Sequence, residues 1–418
     1  MLVIKNMYKK IGKKESAILI GNLLENFDTA IYALLAPIFA PEFFPKQSYI
    51  VQLILSYSIL ASTVITKPLG SIIFGNIVIK KGIKNSLAIS LLGVSICSVI
   101  VGLIPSYNSI GVLAPISLLI VRMLLGIFSS GEASISKLYI LEGCNKTTAI
   151  KNSSLYGAST ISGIILASIL ANIITSYTYL QSLWRIAFYL GSLTGFAGLY
   201  LRKQTFKRDK EINIQNIKTN SKQTNYNFFF NNKKKVITII ITSGFSYITY
   251  ALAFIFINSF IPKVTTISYA NMLSYNSIFL LLDLALISII YKQLSHYNTK
   301  NIMLACSLLL AISSTPFFTF LSNNSILYIN IFRAWVILIG VTFSVAYNVW
   351  LLKLFSNKNK YLITGTAYAL GSSLFGKTLT PSLFAIYSIS FNTTYIGLYL
   401  SSLSLLTFFT LLLSKDQH

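Results

Sequence analysis

The chain has little negative charge and few of the residues that build catalytic or metal centres. Ten Asp and Glu residues stand against 34 Lys and Arg, a formal net charge of +24 over 418 residues. Three cysteines (Cys97, Cys144 and Cys306) show neither metal-ligand spacing nor an obvious disulfide pairing. Only two histidines, His296 and His418, occur. These scarcities, with no nucleophile–base arrangement and no phosphate loop, argue against an enzyme, a metal site or a bound cofactor.

Long apolar runs are abundant instead. Hydrophobic residues make up 54% of the chain, and the mean hydropathy is +0.68. Runs of about 20 apolar residues cross a bilayer as helices, because only a helix satisfies its own backbone polar groups without water. The pattern predicts an all-α integral membrane protein with twelve transmembrane helices, near 17–39, 51–79, 85–105, 112–140, 153–176, 183–201, 236–261, 271–291, 301–321, 326–352, 361–387 and 393–413.

The basic residues alternate between the segments that join these spans. Of the 34 Lys and Arg residues, 26 lie in alternate segments that begin with the N-terminus, and only Lys46 and Lys263 lie in the other segments. Positively charged segments remain in the cytoplasm, so both termini are predicted to face the cytosol. The charge flanks the membrane, which indicates anionic lipid headgroups rather than nucleic acid as its partner.

One polar segment divides the spans into six and six. Residues 203–235 are rich in Lys, Asn, Gln and Thr, which is typical of a flexible cytosolic linker. The predicted organisation is a cytosolic N-terminus (1–15), a six-helix bundle (16–202), the basic linker (203–235), a second six-helix bundle (236–413) and a cytosolic C-terminus (414–418). The loops of the two bundles face the same sides, which suggests two similar halves joined in tandem.

The first predicted span carries two acids on one stripe. Gly21, Glu25, Asp28 and Tyr32 have offsets of 0, 4, 7 and 11, which share one side of a helix. Two carboxylates about a turn apart repel each other, and this favours retention of a proton by one of them. The stripe therefore indicates either a proton-coupling site or acids that pair structurally with an interior cation.

The fourth predicted span carries a cation and an acid. Arg122, Gly126 and Lys137 lie on one broad face, with Glu132 to one side. Arg122 is the natural intramembrane partner of a carboxylate, which belongs either to the substrate or to the first span. Gly126 and Gly131 allow another helix to approach closely.

Charges in other spans have simpler predicted roles. Lys67 either extends its amine to the membrane surface or pairs with an acid, and pairing is favoured. Arg185, beside Trp184, reads as an interfacial anchor. Asp283 is a mid-span acid of the second half, and Arg333 and Lys377 are its predicted structural partners.

At these residues the sequence resembles the major facilitator superfamily. Within it, the chain is similar to the metabolite:proton symporter group, which includes bacterial proline/betaine transporters. The resemblance covers nearly the whole chain and is strongest in the first half. It is carried by GNLLENFDTAIY (21–32), KPLGSIIFG (67–75), GLIPSYNSIGVLAPISLLIVRMLLGIFSSGE (102–132), WRIAF (184–188), GLYLR (198–202) and LFSNKNKYLITGTAYALGSSLFGKTLTPSL (354–383).

The resemblance implies alternating access around a central cavity between two six-helix bundles. It implies uptake of a small zwitterionic or carboxylate solute with a proton, by a monomer in the bacterial inner membrane. The matched positions imply a place near the cavity or the proton path for Glu25, Asp28, Tyr32, Arg122, Gly131 and Glu132.

The loop after the second span departs from the family pattern. A cytosolic latch of an Asp and a following Arg is usual there, but Ile79 and Ile83 occupy those places, and only Gly75, Lys80, Gly82 and Lys84 remain. The equivalent loop of the second half has His296 where an acid is usual. A weakened latch destabilises the outward-open state, so uncoupled exchange or facilitated diffusion is a second hypothesis. A sensor or scaffold on a transporter fold is a third, motivated by the basic linker.

Overall fold

The computed structural model describes residues 13–141, 146–192, 195–196, 233–293, 298–321, 325–353 and 360–414, and within these ranges the chain is helical without strands. Residues 197–232, most of the predicted linker, lie outside the described residues, as do both ends of the chain. Cys144, His296 and His418 also lie outside them. The predicted domain limits therefore stay predictions.

The helices follow one another with short connections. The long ones are Lys13–Phe43, Tyr49–Ala61, Thr63–Leu103, Leu113–Leu141, Lys146–Ser176, Lys233–Ala251, Ile257–Val264, Tyr269–Gln293, Thr299–Thr319, Ile326–Lys353, Lys360–Gly371, Thr378–Ser390 and Thr394–Leu413. Two short helices, Tyr107–Ile110 and Thr178–Gln181, and two π-helical segments, Leu252–Phe256 and Ser372–Lys377, complete the list.

Ten helices within the described ranges are long and apolar enough to cross a membrane. They correspond to all the predicted spans except the sixth and the eleventh. The sixth is helical over 185–192, and much of it lies outside the described residues. The eleventh runs from Lys360 to Ser390 and is interrupted by a π-helical segment. Large apolar side chains such as Ile65, Ile312 and Leu327 face outward, as expected where lipid replaces water.

The second and third spans are separated by a kink instead of the predicted loop. The helix Thr63–Leu103 is continuous except at Gly82, where φ is 80° and ψ is 163°. Only glycine adopts this region of backbone space without strain. The chain therefore reverses direction at the basic segment 80–84 through a single residue.

Two π-helical segments interrupt spans of the second half. One, Leu252–Phe256, lies in the seventh span, and the other, Ser372–Lys377, lies in the eleventh. The two spans pack against each other. A π-helical turn widens the helix locally and is frequent at functional sites. Here it turns the end of the second segment, Lys377, toward the first half of the molecule.

The two halves meet along two seams. Within the first half the first span packs on the fifth, and the fourth packs on the second and third. Within the second half the seventh span packs on the eleventh, and the ninth packs on the tenth and twelfth. Between the halves the fifth span contacts the eighth, and the second contacts the eleventh.

Contacts between the halves close one end of the bundle. We call the end that carries residues 80–84, 146–151 and 233–235 the basic end, and the other the opposite end. Toward the opposite end, the Tyr57 hydroxyl lies 2.6 Å from the Ser259 hydroxyl, and the Tyr269 hydroxyl donates to the backbone carbonyl of Leu34. Tyr57 also stacks on Phe384, with ring centroids 6.1 Å apart. These contacts join the halves at the opposite end.

Close packing of the first span on the fifth predicts a sharp cost for one added methyl group. A Cβ at Gly163 would lie 2.1 Å from the Leu23 carbonyl oxygen, so Gly163→Ala must push the two backbones apart. We expect it to lower the free energy of unfolding by about 1–3 kcal/mol. On the same helix Gly157 has no heavy atom within 4 Å of an added Cβ. Equal thermal unfolding of Gly163→Ala and Gly157→Ala in detergent would contradict this packing.

Candidate functional site

A cavity of about 310 Å³ lies between the two halves. Its lining comes from the first, second, fifth, seventh, eighth, tenth and eleventh spans. Most lining residues lie between the middle of these spans and the basic end, for example Asn22 in the first span, Tyr156 in the fifth and Asn348 in the tenth, whereas Phe254 and Lys377 lie just past the middle of theirs. The cavity therefore lies on the basic side of the contacts that close the opposite end.

Four charged side chains line the cavity: Glu25, Lys67, Asp283 and Lys377. Glu25 is buried and interacts electrostatically with both lysines. Lys377 also lies beside Lys67, and it donates a 2.8 Å hydrogen bond to the Thr63 hydroxyl. Lys377 thus connects the eleventh span to the second, across the boundary between the halves.

A second charged group lies behind the cavity wall, among the spans of the first half. Arg122 and Asp28 are 1% and 2% exposed, and their side chains approach to 3.7 Å. Ser98 donates a hydrogen bond to Asp28. The Arg122 guanidinium lies 3.8 Å from the centre of the Tyr32 ring, and the Tyr32 hydroxyl donates to the Ser56 carbonyl oxygen at 3.1 Å.

This buried pair is incompletely satisfied. The Asp28 Oδ2 and two Arg122 nitrogens, Nε and Nη2, have no hydrogen-bond partner within the described part of the chain. Breaking such a pair normally leaves an uncompensated charge at high cost. A proton on Asp28 would neutralise the acid and release its hold on Arg122. The arrangement can therefore exchange an ion pair for a protonated carboxyl group.

The predicted stripe on the first span divides between these two sites. Glu25 lines the cavity, whereas Asp28 and Tyr32 contact the Arg122 side chain of the fourth span. Each residue advances a helix by about 100°, so three residues leave Asp28 rotated about 60° from Glu25. Gly21 lies on the same helix and is buried, but it does not line the cavity. The four residues of the stripe thus share one side of the helix without forming a single site.

The fourth span places its predicted residues behind the cavity. Glu132 is fully buried, accepts a 2.7 Å hydrogen bond from Ser136 and interacts electrostatically with Glu25. Gly131 packs against Phe74, whose Cγ would lie 2.5 Å from an added Cβ. Gly131 therefore belongs to a helix contact instead of the cavity lining. The Lys137 side chain lies outside the described residues.

The predicted partners of Asp283 are wrong. Within the described ranges Asp283 has no ion pair with Arg333 or Lys377. Arg333 instead donates to the Asn276 side-chain oxygen, and Asn276 donates to Ser168 at 2.9 Å. Asn276 lies seven residues before Asp283 on the eighth span, which is about 10 Å along the helix. This separation places Arg333 toward the opposite end and leaves Asp283 at the cavity.

Two other basic residues differ from their predictions. Lys67 forms no ion pair closer than 4.0 Å among the described side chains, and it faces the cavity beside Lys377. Arg185 is more than an interfacial anchor, because its guanidinium pairs with Glu42 at 2.9 Å. Trp184 donates to the same carboxylate at 2.8 Å. This group joins the first and sixth spans at the opposite end.

The remnants of the predicted latch lie at the basic end, outside the cavity lining. Lys80 is exposed, and the Lys84 side chain lies outside the described residues. Gly75 has no heavy atom within 4 Å of an added Cβ, and Gly82 forms the kink. Their role as a gate stays a prediction.

Aromatic residues of the second half complete the cavity, and the sequence pattern did not single them out. Tyr247, Tyr250 and Phe254 of the seventh span line it together with Tyr347 and Tyr368. The Tyr250 and Phe254 ring centroids are 5.2 Å apart, and the hydroxyls of Tyr247 and Tyr368 are 3.3 Å apart. The chain has 25 Tyr and 28 Phe residues, so composition alone could not distinguish these five from the packed core.

The buried ion pair predicts strong coupling between its two residues. Asp28→Asn leaves Arg122 without a counter-charge, and we expect a loss of about 3–5 kcal/mol in the free energy of unfolding. The double variant Asp28→Asn/Arg122→Gln has neither charge. Its loss in the free energy of unfolding should therefore be smaller, by at least about 1 kcal/mol, than the sum of the losses of the two single variants. Chemical unfolding in detergent measures all three variants.

A matched control is Glu42→Gln at the partly exposed Arg185 pair, where the expected loss is about 0–1 kcal/mol. Single losses at Asp28 and Arg122 that add to within about 0.5 kcal/mol would contradict the coupling.

Comparison with known proteins agrees with this architecture. The sequence profile described as Major Facilitator Superfamily matches residues 18–376. A D-xylose-proton symporter structure superimposes with a TM-score of 0.74, covering 96% of each chain at 16% identity. The human organic anion transporter MFSD10 gives a TM-score of 0.67 at 13% identity, over 96% of this chain and all of that one.

Two curated relatives match in sequence over part of the chain. A putative proline/betaine transporter of Staphylococcus aureus is 32% identical over 225 residues, which are 53% of this chain and 48% of the relative. The proline/betaine transporter of Escherichia coli is 32% identical over 197 residues, 46% of this chain and 39% of that protein. The matched stretch thus spans about half or less of these relatives. The profile match over most of the chain, with the shared fold, shows that this protein belongs to the Major Facilitator Superfamily and is a membrane transporter rather than an enzyme.

Proposed function

We propose that the protein is a secondary active transporter of the bacterial inner membrane. It couples entry of a proton to uptake of a small zwitterionic or carboxylate solute, such as proline or betaine. One observation carries the proposal: a cavity with charges of both signs lies next to the buried Asp28–Arg122 pair. The names of the relatives suggest the solute class, and the site chemistry is compatible with it.

The cavity suits a small polar solute. A volume of about 310 Å³ lies at the lower end of the range for small-molecule sites. Acids and lysines both reach it, and hydroxyl groups from Thr160, Ser246 and Ser344 line it as well. A small solute that carries a carboxylate, with or without a positive group, can interact with the charged side chains, whereas an apolar solute would remove water from those charges without pairing them.

Asp28 is the proposed proton carrier. It is buried, and its neighbours Arg122 and Ser98 favour the charged carboxylate. Protonation removes that attraction and frees Arg122 to shift against the first span. Proton binding would thereby change the packing of two spans next to the cavity. Glu25, which faces the cavity and interacts with Lys67 and Lys377, is the second candidate acid on this path.

The arrangement of the halves supports alternating access. The cavity lies toward the basic end, and Tyr57–Ser259 and Tyr269–Leu34 contacts close the other end. If the basic end faces the cytosol, as the distribution of Lys and Arg predicts, this is an inward-facing conformation. Rocking of the halves about the two seams would expose the same cavity to the other side.

Uncoupled exchange or facilitated diffusion of a similar solute is the second candidate. The absence of the usual latch acid at Ile79 and arginine at Ile83 motivates it. A sensor or scaffold is a third candidate, but most of its docking segment, 203–235, lies outside the described residues. Buried charges around a cavity are costly to maintain, and a scaffold would gain nothing from them.

Uptake into proteoliposomes tests the coupling. We expect labelled proline or glycine betaine to accumulate when an inward proton gradient is imposed, and only to equilibrate without it. Equilibration under both conditions would favour the uncoupled candidate. No entry of either solute, with correctly inserted protein, would reject the solute class.

Replacing the proposed proton carrier separates coupling from solute binding. Asp28→Asn cannot exchange a proton, so we expect gradient-driven accumulation to fall more than about tenfold, a loss of 1.4 kcal/mol or more in driving free energy. Counterflow of labelled against unlabelled solute should persist, which also shows that the variant is folded.

Glu42→Gln, at the Arg185 pair outside the cavity, is the control and should retain driven uptake. Full accumulation by Asp28→Asn would sink the proton-carrier assignment. Loss of both driven uptake and counterflow would assign Asp28 to stability or solute binding instead.

A further inference from the structure

We propose that Asp283, with the ring of Tyr250, binds the cationic end of a zwitterionic solute, while Lys67 and Lys377 bind its carboxylate. This inference rests on the proposed function. It specifies the orientation of the bound solute and requires the solute to carry both a positive and a negative charge. It assigns a recognition role to an acid whose predicted structural partners proved wrong.

Asp283 has the surroundings of a recognition group rather than a structural one. Its side chain is 5% exposed, and it lines the cavity. Among the described side chains no Lys or Arg lies within 4.0 Å of it, and no hydrogen-bond donor contacts it. A buried acid in a membrane span ordinarily has a partner. We infer that a bound solute in the cavity is the partner of Asp283.

The Tyr250 ring beside Asp283 suits an ammonium group. Tyr250 interacts electrostatically with Asp283, and it lies 5.2 Å from Phe254, with the two ring planes tilted by 38°. Both residues line the cavity, and Phe254 also lies 5.8 Å from the Arg333 guanidinium. Aromatic faces attract cations, and clusters of them bind quaternary ammonium groups. Asp283, with the Tyr250 ring beside it, therefore favours a cation that carries methyl groups or a ring.

The two lysines of the lining suit a carboxylate. Lys67 and Lys377 lie next to each other, and Glu25 interacts with both. Two ammonium groups and one carboxylate leave a single formal positive charge, which one carboxylate of the solute neutralises. Among the described residues neither lysine interacts with Asp283, so we treat the lysines and Asp283 as separate receptors.

The charges of the described lining balance. Among the described residues two acids and two lysines line the cavity, so this part of the lining has no formal net charge. A zwitterion, which is also neutral, keeps that balance when it binds. A dicarboxylate would place its second negative charge beside Asp283, and a diamine would place a positive charge beside the lysines. The lining thus discriminates by charge as well as by size.

The two receptors draw on both halves of the fold. Asp283 and Lys377 lie on the eighth and eleventh spans, in the second half, and Lys67 lies on the second span, in the first half. A solute held between Asp283 and Lys67 bridges the halves. Binding would therefore add to the contact that Lys377 already makes with Thr63 between the halves, which is what a transporter needs to couple occupancy to closure.

The test uses three probes that differ only at the relevant ends. Glycine betaine has both charges. Its carbon isostere 3,3-dimethylbutanoate has the same shape and carboxylate without the cation. Choline has the trimethylammonium group without the carboxylate. Dissociation constants are measured by calorimetry on the purified full chain in nanodiscs, for wild type, Asp283→Asn and Lys377→Gln.

We expect wild type to bind glycine betaine at least tenfold more tightly than either analogue. Asp283→Asn should raise the dissociation constant of glycine betaine at least tenfold and that of 3,3-dimethylbutanoate less than twofold. Lys377→Gln should raise the dissociation constants of both carboxylate probes to a similar extent and change that of choline less than twofold. Glu42→Gln, which removes a carboxylate outside the cavity, should leave all three constants unchanged.

Further variants keep the test decisive if Asp283→Asn folds poorly. Asp283→Glu retains the charge and should retain more of the preference for glycine betaine over its isostere than Asp283→Asn does. Tyr250→Leu removes an aromatic face without removing charge, and it should reduce that preference about threefold to tenfold.

Two results would overturn the inference alone: wild type that transports glycine betaine yet binds 3,3-dimethylbutanoate equally well, or an Asp283→Asn variant whose preference is unchanged. Wild type that neither binds nor transports any zwitterion would instead overturn the proposed solute class, and this assignment with it.

Discussion

The cost of placing charge among membrane-spanning helices is the constraint on which the rest of this structure depends. A charge there must find a counter-charge, a hydrogen-bonding partner or a polar cavity. Arg122 finds Asp28 and thereby ties the fourth span to the first. Arg333 finds Asn276, which in turn donates to Ser168 across the seam between the fifth and eighth spans. Glu132 accepts a hydrogen bond from Ser136 behind the cavity, and Glu25, Lys67, Asp283 and Lys377 face the cavity between the halves.

The same constraint links packing to transport. Backbones approach closely within each half, for example at Gly163 against Leu23 and at Gly371 against Ile240, and such packing resists deformation. Contacts between the halves include hydrogen bonds such as Tyr57–Ser259 at one end and Lys377–Thr63 nearer the cavity. Polar contacts of this kind can exchange partners at small cost. Rigid halves with exchangeable contacts between them are the mechanical requirement for alternating access.

Individual residues show how far pattern reasoning extends. The Asp28–Arg122 pair was among the alternatives drawn from the sequence, because a lone cation and a lone acid at matching depth have few other partners. The partners predicted for Asp283 were wrong, because depth along a helix does not specify which neighbouring helix a side chain faces. Gly131 was placed at the cavity by resemblance, yet it packs on Phe74. Small residues serve helix contacts and cavities equally well, so the sequence cannot separate the two roles.

The sequence by itself determined the membrane-spanning, all-helical class of the protein, because the length of an apolar run and the lack of water in a bilayer leave no other solution. It also determined that the polar segment 203–235 divides the predicted spans into two sets. The tertiary structure decided which charges pair, that the second and third spans join through a kink at Gly82, and that Tyr250 lies beside Asp283 at the cavity. Those features arise from the rotation and tilt of helices against one another, which many weak contacts distant in sequence settle together.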